Sequence, residues 1–151
     1  MRVVLQRVSE ASVKIEGQIN GQIQQGFLIL LGIEDSDTSS DVDWLVNKVM
    51  NMRVFSDEED KMNLSIQQVE AGAFLVISQF TLHASTKKGN RPSFIKAARP
   101  DKAIPLYEEF VQLLALRSGL PVETGEFGAD MKVHLINDGP VTIIMDSQNK
   151  E

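Results

Sequence analysis

Two seven-residue runs constrain this chain most: Gly26–Gly32 (GFLILLG) and Ala73–Gln79 (AFLVISQ). Each is almost continuously apolar and too short for a typical helix, so each reads as a strand buried on both faces. Residues 1–16 alternate instead, with Val3, Leu5, Val13 and Ile15 set against polar neighbours, which is the period of a strand with one buried face. Gly17, Asn20-Gly21 and Gly26 punctuate the next stretch, and Asn-Gly predicts a hairpin turn.

Helices are signalled by a different period. Asp35–Ser40 (DSDTSS) is a polar loop rich in capping residues. Beyond it Val42, Leu45, Val46, Val49 and Met50 recur at helical spacing, predicting an amphipathic helix that ends near Met52. A second helix is predicted from about Asp101 to Ser118, with Ile104, Tyr107, Phe110 (or Val111) and Leu114 as its apolar stripe. Gly119 and Pro121 stop it, and Pro105 is accommodated in its first turn. Val54-Phe55 reads as a short strand, and 132–137 and 141–145 as two strands separated by a tight turn at Asp138-Gly139-Pro140. The expectation is an α+β fold: a mostly antiparallel or mixed, barrel-like sheet with two main helices. One domain spans residues 1–146, followed by a loose polar tail over 147–151.

With 151 residues, the chain can bury a core without disulfides or metals. It has no cysteine, which excludes thiolate nucleophiles, Fe–S clusters and thiolate zinc sites and fits a reducing cytoplasm. No run of about 18 apolar residues predicts a membrane span, and Arg2 and Arg7 interrupt the N-terminal stretch too early for a signal peptide. The net charge of -6 argues against a protein that coats nucleic acid. Residues 85–102 depart from that average. Six cations (Lys87, Lys88, Arg91, Lys96, Arg99, Lys102) face one acid, Asp101, giving +5 and leaving -11 on the rest. Such a segment either balances its neighbours as a solvated loop or grips one end of an anionic ligand.

Candidate chemistry is sparse. His83 and His134 lack metal-ligand spacing, and the acidic run Asp57–Asp60 lacks the spaced ligands of a calcium loop, so it reads as an exposed turn. No metal or cofactor is expected. His134 reads as a sheet-surface residue. His83 follows Ser78 and Thr81 closely enough to suggest a hydroxyl–imidazole pair, but no nucleophile elbow precedes the serine. Ser78 and Thr81 would point to opposite faces of a regular strand, so a shared site requires the strand to end or bend between them.

Taken in order, these stretches resemble the D-aminoacyl-tRNA deacylase family. Ser78-Gln79-Phe80-Thr81-Leu82 is similar to that family's SQFTL signature and Asn137–Thr142 (NDGPVT) to its NxGPVT signature. Residues 1–8, 88–94 and 124–131 match further segments, so the resemblance spans the whole chain. It implies hydrolysis of the ester joining a D-amino acid to the tRNA 3′ adenosine, by a homodimer with two sites at its interface. Ser78, Gln79, Phe80 and Thr81 would line the site, with either Thr81 or the tRNA 2′-OH as nucleophile. Gly139-Pro140 would form a cis-proline element entering the partner's pocket, braced by Arg7. Phe127 and Met131 would hold the adenosine, and Lys87, Lys88 and Arg91 would contact tRNA. A Gly-Pro wall excludes L-residues by collision, so glycyl-tRNA would also be cleaved. Two rival readings are a non-catalytic dimeric module that binds RNA ends or nucleotides, and a hydrolase of small esters.

Overall fold

The structure, a computed structural model, describes residues 1–151. Its strands are β1 (Arg2–Ile15), β2 (Gln18–Ile23), β3 (Gly26–Gly32), β4 (Arg53–Ser56), β5 (Met62–Ser65), β6 (Ala73–Ser78), β7 (Val122–Thr124) and β8 (Lys132–Asp146). Helix α1 (Ser39–Asn51) precedes β4 and helix α2 (Pro100–Ser118) precedes β7. The main sheet runs β2-β1-β3-β6-β7, with β8 on the other side of β1, and β4-β5 form a separate ribbon. Pairing is parallel for β3/β6 and β6/β7 and antiparallel elsewhere, so the sheet is mixed.

The two apolar runs lie side by side as β3 and β6, and their alternate residues serve two cores. Phe27, Ile29, Leu31, Phe74 and Val76 face α1 and α2 in the larger cluster. Leu28, Leu75 and Ile77 face the other way, against Val8, Val13 and Ile23, and are closed over by Met131, Val133 and Leu135. A strand covered on both faces has no position for a polar residue, which is why neither run alternates. Because β1 is long, its first half pairs with β3 and its second half with β2, which curls the sheet into its barrel-like form.

Several expectations are corrected. Residues 132–137 and 141–145 belong to one strand, not two. Both halves pair with β1, from Lys14↔Lys132 to Arg2↔Asp146, so Asp138-Gly139-Pro140 is an irregularity within a strand rather than a tight turn. The register shifts between Gln6 and Val8 and again between Val8 and Glu10, and those slips absorb it. The first hairpin turns at Glu16 (φ 50) and Gly17 (φ 79), not at Asn20-Gly21, which lies inside β2. Gly21 is needed for close approach instead: a β-carbon there would sit 2.7 Å from the Thr124 carbonyl oxygen. Helix α2 begins at Pro100, so Pro105 falls in its second turn. The buried stripe of α2 is Ala103, Leu106, Tyr107, Phe110 and Leu114, while Ile104 is only half-buried. The tail is bonded at its start: the Ser147 N–H donates to the Met1 carbonyl at 2.9 Å and the Gln148 side chain to Asp41 at 3.0 Å.

Other expectations match. α1 occupies the predicted segment, and the Thr38 N–H donates to the Asp41 carboxylate at 2.8 Å across its first turn. Gly119 ends α2 with φ 67, the left-handed conformation that glycine adopts without strain. The acidic run is the loop of the β4/β5 ribbon, where the Asp57 carboxylate accepts the N–H groups of Glu59 and Lys61. His134 is exposed on β8. No helix is long and apolar enough to cross a membrane.

Candidate active site

β6 stays in register with β3 as far as Ser78, opposite Leu31. The Gln79 N–H still reaches the Leu31 carbonyl at 2.8 Å, but the Gln79 backbone then leaves strand geometry (φ -144, ψ 77). A single 3-10 turn comes next, over Phe80–His83. The strand therefore ends between Ser78 and Thr81, as a shared site requires. The start of such a turn leaves the N–H groups of Phe80 and Thr81 without an acceptor inside the turn.

Beside this turn lies a cleft of about 240 Å³, lined by Ser78, Gln79 and Phe80 on one side and by Phe127, Asp130 and Met131 on the other. Five of the predicted site residues thus meet across roughly fifty positions of sequence. Its floor is apolar, from Leu31, Ile33, Ile77 and Val133. Phe127 is propped by an edge contact with Tyr107 (centroids 5.9 Å apart). The Tyr107 hydroxyl donates to the Val76 carbonyl at 2.8 Å, tying α2 to β6. Burial pushes the Tyr107 phenol up to about 12. A β-carbon on Gly125 would lie 2.3 Å from the Met131 sulfur, so a side chain there would displace the tip of Met131. This closeness is visible only once β7 and the 125–131 loop are folded together.

Thr81 does not line the cleft. Its hydroxyl accepts a hydrogen bond from Gln79 Nε2 at 2.5 Å. His83 is fully buried, and neither ring nitrogen has a hydrogen-bond partner; its Nδ1 lies 3.9 Å from Glu34. No hydroxyl–imidazole pair forms, so Thr81 has no general base at hand. No three His, Asp or Glu side chains converge as metal ligands.

Gly139 and Pro140 are exposed and absent from the lining of this cleft. Their peptide bond is cis. Arg7, with its side chain only 11% exposed, holds the segment: Nε donates to the Asp138 carbonyl at 2.9 Å and Nη1 donates to the Val54 carbonyl. Asn137 closes it from the other end, accepting the Val141 N–H at 2.9 Å and donating to the Thr142 hydroxyl at 2.9 Å. The sequence places Asn137 in the second signature, but its bridging needs the continuous strand.

Lys87, Lys88 and Arg91 are exposed on the loop between the 3-10 turn and α2, which is cinched by paired Ser85 and Ser93 backbones. None of them forms an ion pair.

A family model described as D-Tyr-tRNA(Tyr) deacylase matches residues 4–146. The chain belongs to this deacylase family. It is 63% identical over 151 residues, covering all of both chains, to the D-aminoacyl-tRNA deacylase of Flavobacterium johnsoniae. It is 59% identical over 152 residues, again across both full lengths, to that of Parabacteroides distasonis. Among solved structures, one of a c-Myc DNA Unwinding Element Binding Protein is 40% identical with a TM-score of 0.88, covering 97% of this chain and 98% of that one. A probable eukaryotic D-amino acid tRNA deacylase shares the fold, with a TM-score of 0.81 at 17% identity over 95% of this chain and 97% of that one. As a deacylase the chain is a hydrolase of ester bonds.

Proposed function

We propose that the chain hydrolyses D-aminoacyl-tRNA as a homodimer, with Gly139-Pro140 of each subunit closing the cleft of the other. The supporting observation is a division of labour within one subunit. Ser78, Gln79 and Phe80 share a cleft with Phe127 and Met131, while the braced Gly139-Pro140 segment is exposed and lies outside that cleft's lining. β8 pairs with β1 alone, leaving one edge of a 15-residue strand unpaired. Its outer face exposes Ile136 (54%) and Ile144 (72%), a surface that another copy of the chain would cover.

In this reading the terminal adenosine lies between Phe127 and Met131. The ester carbonyl sits at the 3-10 turn, where the N–H groups of Phe80 and Thr81 stabilise the developing oxyanion; each such donor is worth roughly 10²–10³ in rate. Water adds to the carbonyl carbon, the bond to the ribose O3′ breaks, and O3′ takes up a proton. The tRNA 2′-OH, not Thr81, assists this step, because Gln79 already occupies the Thr81 hydroxyl and no base adjoins it. The partner's Gly-Pro backbone leaves room for hydrogen but not for a side chain at one α-position. L-residues are excluded by collision and glycyl esters pass. Lys87, Lys88 and Arg91 contact the acceptor end, and the enzyme works in the cytoplasm, where charged tRNA is found.

The purified chain should deacylate D-tyrosyl-tRNA and glycyl-tRNA and spare L-tyrosyl-tRNA; equal rates on the D and L forms would reject the proposal. The 40% identical relative named for DNA binding supports a second reading, a module that binds nucleic-acid ends. That reading predicts binding without turnover of any ester.

A further inference from the structure

At the rim of the cleft two aromatic side chains face solvent. Phe80, on the cleft rim, is 55% exposed, and Phe94 is 37% exposed. Their rings meet edge to face, with centroids 5.2 Å apart and planes at 77°. Ile95, beside them, is 89% exposed. Exposed apolar side chains grouped beside a cleft form the kind of surface through which proteins bind partners. Three further observations narrow what it binds.

The pair begins where the cleft ends, so a ligand that fills the cleft and continues outward passes over it. Phe94 and Ile95 lie inside the segment of charge +5. Lys87, Lys88, Arg91, Lys96 and Arg99 are exposed there without an ion-pair partner. A two-fold contact centred on this patch would press one cationic segment against its copy, which disfavours a second copy of the chain as occupant. Aromatic faces flanked by unpaired cations are how proteins hold single-stranded nucleic acid, with bases stacked and phosphates neutralised.

We infer that Phe94, set against Phe80, forms a stacking subsite for the base that precedes the terminal adenosine of a single-stranded RNA 3′ end, with the neighbouring lysines and arginines on its phosphates. The inference rests on the deacylase reading above and adds a second nucleotide position to it. It makes the substrate's RNA end, rather than the aminoacyl ester alone, part of what the site recognises.

The test compares D-tyrosyl-tRNA with D-tyrosyl-adenosine, which has no preceding nucleotide. For Phe94→Ala, kcat/KM on the tRNA ester should fall about 10-fold or more, carried by KM, as expected for loss of one stacked base. On the adenosine ester it should stay within about twofold of the unmodified protein. Phe94→Tyr should restore the tRNA value and Phe94→Leu should not, which separates stacking from bulk. An equal fall on both esters, no fall on either, or dissociation of the oligomer by Phe94→Ala in light scattering would overturn the subsite. If the unmodified protein cleaves neither ester, the deacylase reading itself fails, an outcome distinct from those three.

Discussion

Arg7 Nη2 lies 2.9 Å from the point that a β-carbon on Gly139 would occupy, while Nε of the same guanidinium holds the Asp138 carbonyl at 2.9 Å. The brace and the absence of a side chain are therefore one arrangement. Gly139 also has φ 134, a conformation that L-residues rarely adopt. Gly139→Ala should destabilise the fold by roughly 1–3 kcal/mol. It should also narrow the ratio of D- to L-tyrosyl-tRNA cleavage. Thermal unfolding and paired deacylation assays check the two effects. Unchanged discrimination would separate this segment from chiral selection.

Arg7→Lys should behave as a loss rather than a conservative change. A lysine offers a compact ammonium in place of the planar fork, and does not reproduce the paired geometry with which Nε and Nη1 reach the Asp138 and Val54 carbonyls. Cleavage of L-tyrosyl-tRNA should rise while the D-substrate rate falls only modestly. If both rates are untouched, the bracing contacts do not matter for selection.

Thr81→Ala should retain most turnover on D-tyrosyl-tRNA, whereas a substrate ending in 2′-deoxyadenosine should be nearly inert. The reverse pair of results would make Thr81 the nucleophile.

Tyr107 is the only tyrosine in the chain, so a spectrophotometric titration reads it alone. Its phenol should ionise near pH 12 in the folded protein, since burial penalises the phenolate. A folded-state pKa above the unfolded value of about 10 means that this stabilisation is complete below pH ~10 and lost as pH rises toward 12. Ionisation at an ordinary pH in native protein would place Tyr107 outside the core. Tyr107→Phe, which removes the hydrogen bond to Val76, should cost about 1 kcal/mol and loosen Phe127 above it.

Asp146 should contribute to acid sensitivity. Burial alone would raise its pKa, but the Arg2 side chain at 2.7 Å and the Gln148 N–H at 3.0 Å outweigh it and hold the carboxyl below the usual range. With the folded pKa depressed, the stabilisation is present above the unfolded pKa of about 3.9 and disappears as pH falls through the folded value. The pair is partly open to solvent, with side chains 36% and 16% exposed, so Asp146→Asn should cost no more than about 1 kcal/mol at neutral pH. The variant's stability should also fall less steeply on acidification. Arg2 also donates to the Leu82 carbonyl at 3.0 Å, which links this ion pair to the 3-10 turn over Phe80–His83.

What the sequence determined by itself is what depends on neighbours a few positions away. The unbroken apolarity of β3 and β6 requires cover on both faces. The spacing of Val42 through Met50 requires a helix, Gly119 stops the second one, and the ordered signatures name the family. What only tertiary structure decided involves residues far apart in the chain. Residues 138–140 carry turn chemistry, yet β1 is long enough to pair with both flanks and keeps them in a single strand, because its ladder of hydrogen bonds outweighs the local preference. Asn20-Gly21 likewise lies within β2 while the hairpin turns at Glu16-Gly17, where Ile15 pairs with Gln18, and its glycine instead leaves room for the Thr124 carbonyl. The cleft joins residues 78–80 to 127–131 only after the sheet curls. Propensity acts over a few residues, whereas pairing and close packing act across the whole chain, and the site is built by the second.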